Sequence, residues 1–351
     1  MQKNNLWFIF SIILLLSLSL ITIWSTYPSL FLTQLSFVVV SILIVIAITK
    51  IDASIYLNFA NFWYFLSILL LVITYFVGRN VRGSIRWIDF GFFNLQTSEL
   101  IKPLLAIFYA AYLSKNNPKN IKSFFIFICI ALLPVIIVAK QPDLGSALTL
   151  FVLPMFLLVV SGHLKKMLIF GSVLALVVVP LEAKLLKPYQ RERLETFVNP
   201  YKDPKGAGYN VIQATIAIGS GGLLGKGVRL GTQSHLNFLP ERHTDFIFAS
   251  FAEEFGLVGI LVLLGSFYTI FNFCLYIARR QKERASYLLV LGILSVFLFQ
   301  FTVNVGMNLG IMPVTGITLP IFSYGGSSLV SFAIMIGILL RQLDLLPPVE
   351  I

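Results

Sequence analysis

The densest run of polar side chains is Pro240-Glu241-Arg242-His243-Thr244-Asp245, directly before the apolar run Phe246-Ile247-Phe248-Ala249. A carboxylate beside His, Arg and Glu at the end of a long helix suits general-base catalysis. Thr244 or Asp245 could instead be only an N-cap, because a short side-chain oxygen there accepts a first-turn N–H. Other ionisable groups are embedded in apolar surroundings, where they are expensive and usually functional. Glu99 and Lys102 are three residues apart, so they share a helix face. They read either as a structural ion pair or as a cavity lining in which Lys102 meets a substrate anion. Asp143 follows Pro142, a pair suited to the first turn of a helix. Glu253 and Glu254 are adjacent and point in different directions, so at most one faces a given cavity. Asn304 and Asn308 lie one turn apart and can hydrogen-bond across helices. The stretch Met312–Ser328, which contains Ser323 and Tyr324, carries two prolines and three glycines. That composition means broken helix, tolerated at membrane depth only beside protein or a wet cavity.

The elements that must position these groups are membrane spans. The chain has 351 residues, 58% hydrophobic and 12% charged, with a mean hydropathy of +0.90. Soluble domains run near half apolar and a quarter charged, so a soluble enzyme is excluded. No charge occurs between Lys3 and Lys50, Asp52 and Arg79, or Arg284 and Arg341. A spanning helix needs about 20 apolar residues, so each gap holds one or two. The pattern predicts an all-α polytopic membrane protein forming one domain over 1–351. About ten transmembrane helices are expected, at 6–25, 29–49, 55–78, 96–114, 123–139, 143–161, 167–183, 246–278, 285–308 and 318–340. Cys129 and Cys274 lie in apolar runs and read as small core residues. With two Cys and three scattered His, a zinc site is not expected.

Even-numbered spans put both ends on one side. With the N-terminus in the cytoplasm, the inner loops carry twelve Lys and Arg, among them Lys115, Lys119, Lys165, Lys166, Arg279 and Arg280. The positive-inside rule then predicts N-in and C-in. Thirteen basic residues nevertheless fall outside, including Arg79, Arg82 and Arg86 in the short 79–95 loop. Either long loops translocate regardless of charge, or an external site takes a polyanion, with phosphate the usual partner of clustered Arg. The long extracytoplasmic loop, about 184–245 between helices 7 and 8, reads as functional. In it, Arg191–Phe197, including Arg193, forms an amphipathic turn or helix. Asn210–Leu224 is apolar but too short to span, which suggests a re-entrant or interfacial helix. The glycine run 219–227 fails the P-loop pattern. It reads as a flexible turn where backbone passes close to something.

Several segments carry a resemblance. Gly83–Asp89, Gln96–Pro103, Lys140–Ser146, Leu239–Ala249, Glu253–Gly256 and Asn304–Ser328 resemble the SEDS (shape, elongation, division, sporulation) family over nearly the whole chain. The form of Pro240–Phe246 is most similar to the family's elongation branch. The resemblance implies a peptidoglycan glycosyltransferase that polymerises lipid II at the outer face of the bacterial cytoplasmic membrane, in cell elongation and shape maintenance. It implies as partners a class B penicillin-binding protein and the elongation machinery, and no nucleic acid. Asp245 matches the family's essential aspartate, and Trp87, Lys102 and Asp143 match other important positions. Glu241, His243, Thr244, Ser323 and Tyr324 lie inside matching motifs. Arg86, Lys102 and Arg193 could take the substrate pyrophosphate, with a divalent cation as an optional aid and no cofactor implied otherwise. Thr97, Asn199 and Asn237 depart from the family pattern, standing where Pro, Asp and often Glu are found. Two other readings use the same residues: a lipid II flippase, and a scaffold without catalysis in which Asp245 is a cap.

Overall fold

The computed structural model describes residues 3–81, 84–91, 93–172, 195–204, 206 and 208–346. The molecule is a polytopic helical bundle. Long apolar helices are α1 (Lys3–Thr26), α2 (Phe31–Thr49), α4 (Ala60–Val77) and α6 (Ile121–Lys140), with the short α3 (Ala53–Asn58) capped by Asp52. Helix α5 (Thr97–Lys115) follows, and α7 (Leu144–Leu158) runs on through a π turn at Val159–His163. After α8 (Tyr209–Gly221) come α9 (Ile247–Arg280), α10 (Arg284–Asn308) and α11 (Gly326–Asp344). Among the described residues, eight helices are long and apolar enough to cross a membrane. The expected span at 167–183 lies mostly outside the described residues.

Helix α5 is not one of those eight, yet it is the most enclosed. It packs against α4, α7, α10 and α11, and fourteen of its residues are buried, Glu99 and Lys102 among them. Its two buried charges, Glu99 and Lys102, are paired with each other inside the bundle, so it needs no apolar face toward lipid. The outer helices show the opposite pattern. Leu32, Phe65 and Phe76 are more than two-thirds exposed, as a hydrocarbon solvent permits. This explains one misreading. Cys274 is buried, but Cys129 is exposed on α6, because lipid-facing and core positions are equally apolar.

Residues 79–96, expected as a loop, form a small antiparallel sheet. Strand β2 (Ser84–Asp89) lies between β1 (Arg79–Val81) and β3 (Asn94–Gln96), with Trp87 opposite both Arg79 and Gln96. Strands this short carry no readable alternation, so pattern alone missed them. Helix α9 is broken at Gly256, where φ is +62°, a conformation that costs glycine little. The glycine run passes beside this break. Leu257 and Val258 N–H donate to Gly222 O and Leu223 O, while Lys226 and Gly227 N–H donate to Glu253 O and Glu254 O. The expected close backbone approach is therefore to α9. In the expected 210–224 segment stands α8, thirteen residues long and packed on α9.

The last span begins at Gly326, not at residue 318. Segment 309–325 is irregular, as its prolines and glycines require, and buried backbone of this kind must find partners. It does: Ser19 Oγ donates to Phe322 O at 2.6 Å, Asn304 Nδ2 to Ile317 O at 2.7 Å, and Leu319 N–H to Ser323 Oγ at 2.8 Å.

Candidate active site

Asp245 ends a turn, 240–246, that leads into α9. Its position is set from behind. Asn304 Nδ2 and Asn308 Nδ2, one turn apart on α10, each donate to the Asp245 backbone carbonyl at 3.0 Å. Asn308 Oδ1 also accepts from Ala249 N–H at 3.1 Å, so one side chain both holds the Asp245 carbonyl and caps the start of α9. The sequence predicted that these asparagines hydrogen-bond across helices. It did not show that their target is the aspartate's own backbone.

In front, Asp245 lines a cavity of about 350 Å³. The irregular segment closes one wall. Ser323 Oγ donates to Thr244 O at 2.8 Å, and Tyr324 N–H donates to His243 O at 2.9 Å. Gly316, at φ +73°, is close enough that an added Cβ would stand 3.4 Å from Asp245 Oδ2.

Seven of the residues singled out in the sequence line this cavity together: Arg86, Trp87, Glu99, Glu241, Thr244, Asp245 and Tyr324. They come from four separate parts of the chain. Strand β2 brings Arg86 and Trp87, α5 brings Glu99, the 240–246 turn brings the next three, and the irregular segment brings Tyr324. Thr244 Oγ1 donates to Glu241 Oε2 at 3.2 Å.

The remaining candidates support the wall from outside it. Lys102 is fully buried and donates to Glu99 Oε1 at 2.5 Å, without lining the cavity. Glu99 Oε2 is buried and has no hydrogen-bond partner. The structure thus makes Glu99 the cavity-facing member of the pair and Lys102 its neutralising base. Asp143 is buried as well. Its Oδ1 caps α7 by accepting Ser146 N–H at 3.2 Å, its Oδ2 accepts from Gln96 Nε2 at 3.0 Å, and Arg86 Nη1 lies 3.5 Å from Oδ1. It is both a cap and the post that holds Arg86. His243 packs between Tyr27 and Tyr324, with ring centroids 4.8 and 5.6 Å away. Ser323 is a brace for backbone. Arg193 lies outside the described residues.

Glu253 and Glu254 do not line this cavity. Glu253 gathers Lys226 Nζ, Gln233 N–H, Ser234 N–H and Ser234 Oγ at 2.8–3.1 Å, which ties the 226–234 loop to α9. Glu254 accepts from Ser25 Oγ. Arg79, expected to need an external anion, is paired with Asp89 at 2.5 Å. The departures from the family pattern are also accommodated. Thr97 opens α5 with its hydroxyl accepting from Thr74 Oγ1 at 2.9 Å, Asn199 Oδ1 accepts Tyr201 N–H at 3.1 Å, and Asn237 accepts from Arg242. Among the described residues no three acids, His or Cys are grouped to hold a metal ion.

A surface that combines a placed carboxylate, an arginine, two further acids and aromatic walls can deprotonate a hydroxyl and hold an anionic group nearby. The comparisons agree with that chemistry. The FtsW/RodA/SpoVE cell cycle protein model matches residues 3–344. The chain is 38% identical over 305 residues to peptidoglycan glycosyltransferase MrdB of Escherichia coli K12, covering 86% of this chain and 82% of that one. It is 40% identical over 275 residues to the probable peptidoglycan glycosyltransferase FtsW of Tolumonas auensis, covering 76% and 70%. A solved chain from a peptidoglycan synthase complex that coordinates polymerization and crosslinking superposes with a TM-score of 0.84 at 33% identity, covering 96% of this chain and 97% of that one. The crystal structure of rod shape determining protein RodA from Thermus thermophilus gives a TM-score of 0.73 at 27% identity, covering 96% of both. On this match, from residue 3 to residue 344, the chain belongs to the FtsW/RodA/SpoVE family of cell cycle proteins, the SEDS proteins.

Proposed function

We infer that this chain is a peptidoglycan glycosyltransferase of the elongation type, polymerising lipid II outside the cytoplasmic membrane, with Asp245 as general base. The observation that carries the assignment is the cavity that joins Asp245 to Arg86, Glu99 and Tyr324. The acceptor sugar's 4-hydroxyl attacks C1 of the donor sugar, its proton passes to the Asp245 carboxylate, and the C1–oxygen bond to undecaprenyl pyrophosphate breaks with inversion. A sugar hydroxyl is a poor nucleophile, and a positioned base accelerates such steps by about 10²–10⁴-fold. Pyrophosphate leaves readily once its charge is met, and Arg86 is the cation at the cavity wall. Its hold on Asp143 keeps the guanidinium aimed without cancelling it, because Asp143 is shared among Gln96, Ser98 and the α7 N-terminus. A class B penicillin-binding protein is the crosslinking partner in this reading.

Purified protein given lipid II in detergent micelles tests the assignment, since micelles offer no bilayer to cross. Glycan strands formed by wild type and absent with Asp245→Asn are the expected result. A protein that forms no strands with any partner supplied, yet moves lipid II across vesicles, would be a flippase.

A further inference from the structure

A concavity larger than the Asp245 cavity lies elsewhere in the molecule. A pocket of about 560 Å³ lies between the start of α1 and the last turns of α9, and Trp7, Tyr268, Asn272, Tyr276, Arg279 and Arg280 are in its wall. Arg242, three residues before Asp245, donates Nε to Thr26 O at the end of the unbroken α1, whereas Trp7 stands near its start. The helix between them, at 1.5 Å per residue, is roughly 28 Å long, comparable to the bilayer core of about 30 Å. The pocket therefore opens at the opposite membrane surface and takes no part in the chemistry above.

We propose that it binds the headgroup of an anionic phospholipid. A concavity on the lipid-facing side of a bundle is filled by lipid, and its lining selects which one. Among the described residues, this lining contains two guanidinium groups and no acid. Glu283, the next acid along the chain, accepts from Ser286 Oγ at 3.1 Å. Arg280 Nη1 donates to Tyr276 Oη at 2.5 Å, which fixes that arginine over the pocket edge, while Arg279 is exposed. Trp7 and Tyr268 are 55% and 69% exposed, and rings of this kind settle at headgroup depth. Asn272 adds a polar wall on a helix face otherwise turned to hydrocarbon. Basic, aromatic-rimmed pockets between spans at the cytoplasmic surface suit lipid phosphates, and an arginine pair matches phosphate oxygens in a way that lysine does not. The positive-inside rule accounts for two arginines at a helix end, but it does not require a hollow there.

Native mass spectrometry of the full-length protein, titrated with phosphatidylglycerol or phosphatidylcholine, tests this. Phosphatidylglycerol should bind wild type at least about tenfold more tightly, which is 1.4 kcal/mol. R279Q/R280Q should lose the preference while R279K/R280K keeps part of it. If R279Q/R280Q does not fold, Arg279→Gln alone, at an exposed position, should reduce the preference. Excess inorganic phosphate should not displace the lipid. Equal binding of the two lipids, as expected if a protein partner's span fills the groove, would overturn the proposal. So would a preference that survives in a folded R279Q/R280Q or Arg279→Gln protein, or competition by free phosphate, which would make this a simple anion site.

Discussion

At the scale of single residues, the cavity separates side chains that line it from side chains that hold them in place. Asp245→Asn keeps the side chain's shape and removes its basicity. Polymerisation should fall by at least about a hundredfold with no change in thermal midpoint; a near wild-type rate would remove Asp245 as the base. Arg86 and Arg79 make a matched pair of probes, since both are basic residues of one small sheet. Arg86 lines the cavity, whereas Arg79 is exposed and paired with Asp89. Exposed pairs contribute about 0–1 kcal/mol, while a partly desolvated arginine–phosphate contact exceeds that. Arg86→Glu should therefore raise the KM for lipid II more than about tenfold, and Arg79→Glu should change it little. Equal effects in a lipid II titration would mean a diffuse field and no defined pyrophosphate contact.

Between residues and the bundle lie the elements that pass position along. Helix α10 reaches Asp245 through two amides on its backbone carbonyl. Asn304→Leu removes one of the two side-chain donors to the Asp245 carbonyl, which keeps Asn308, and the donor to the buried Ile317 carbonyl. A buried carbonyl left unsatisfied costs about 1–3 kcal/mol, so the thermal midpoint should drop. The turnover number should fall along with it while KM changes less, because Asp245 moves and Arg86 does not. A loss of stability with an unchanged turnover number would make the clamp purely structural. Helix α5 gives a second case. Lys102→Met leaves Glu99 buried without its cation, and breaking such a pair costs about 3–5 kcal/mol. The double variant Glu99→Gln with Lys102→Met should regain stability. If Glu99 serves substrate, activity will stay low in that stable double variant; full recovery of both would reduce the pair to a brace.

For the whole molecule, orientation is the open quantity that the fold must satisfy. The positive-inside count puts the loops at Lys119 and Lys282 on the cytoplasmic side and Tyr201 on the other. All three positions are exposed. In a chain with Cys129 and Cys274 replaced, Tyr201→Cys should react with an impermeant maleimide applied to intact cells. Lys119→Cys and Lys282→Cys should react only after lysis. The reverse pattern would put the Asp245 cavity in the cytoplasm, where it could not extend a wall outside.

The sequence by itself determined that the chain spans the membrane repeatedly and that its densest run of polar side chains ends at Asp245, because both properties are local. An apolar run of span length needs no partner to be recognised, and a motif such as Pro240–Asp245 carries its own order. It also determined that Met312–Ser328 could not be a plain helix, since Pro and Gly fix backbone behaviour residue by residue. What it could not determine depends on a third dimension. Lipid is as apolar as a protein core, so the same side chains serve both, and exposed Cys129 could not be told from buried Cys274. The sheet at 79–96 rests on pairings too short to leave a pattern. Only the tertiary structure decided that Glu99 faces the cavity and Lys102 does not. Only there do two asparagines some sixty positions along the chain grip the backbone of Asp245. Long-range hydrogen bonds of that kind follow from how helices cross, and no spacing within one helix encodes them.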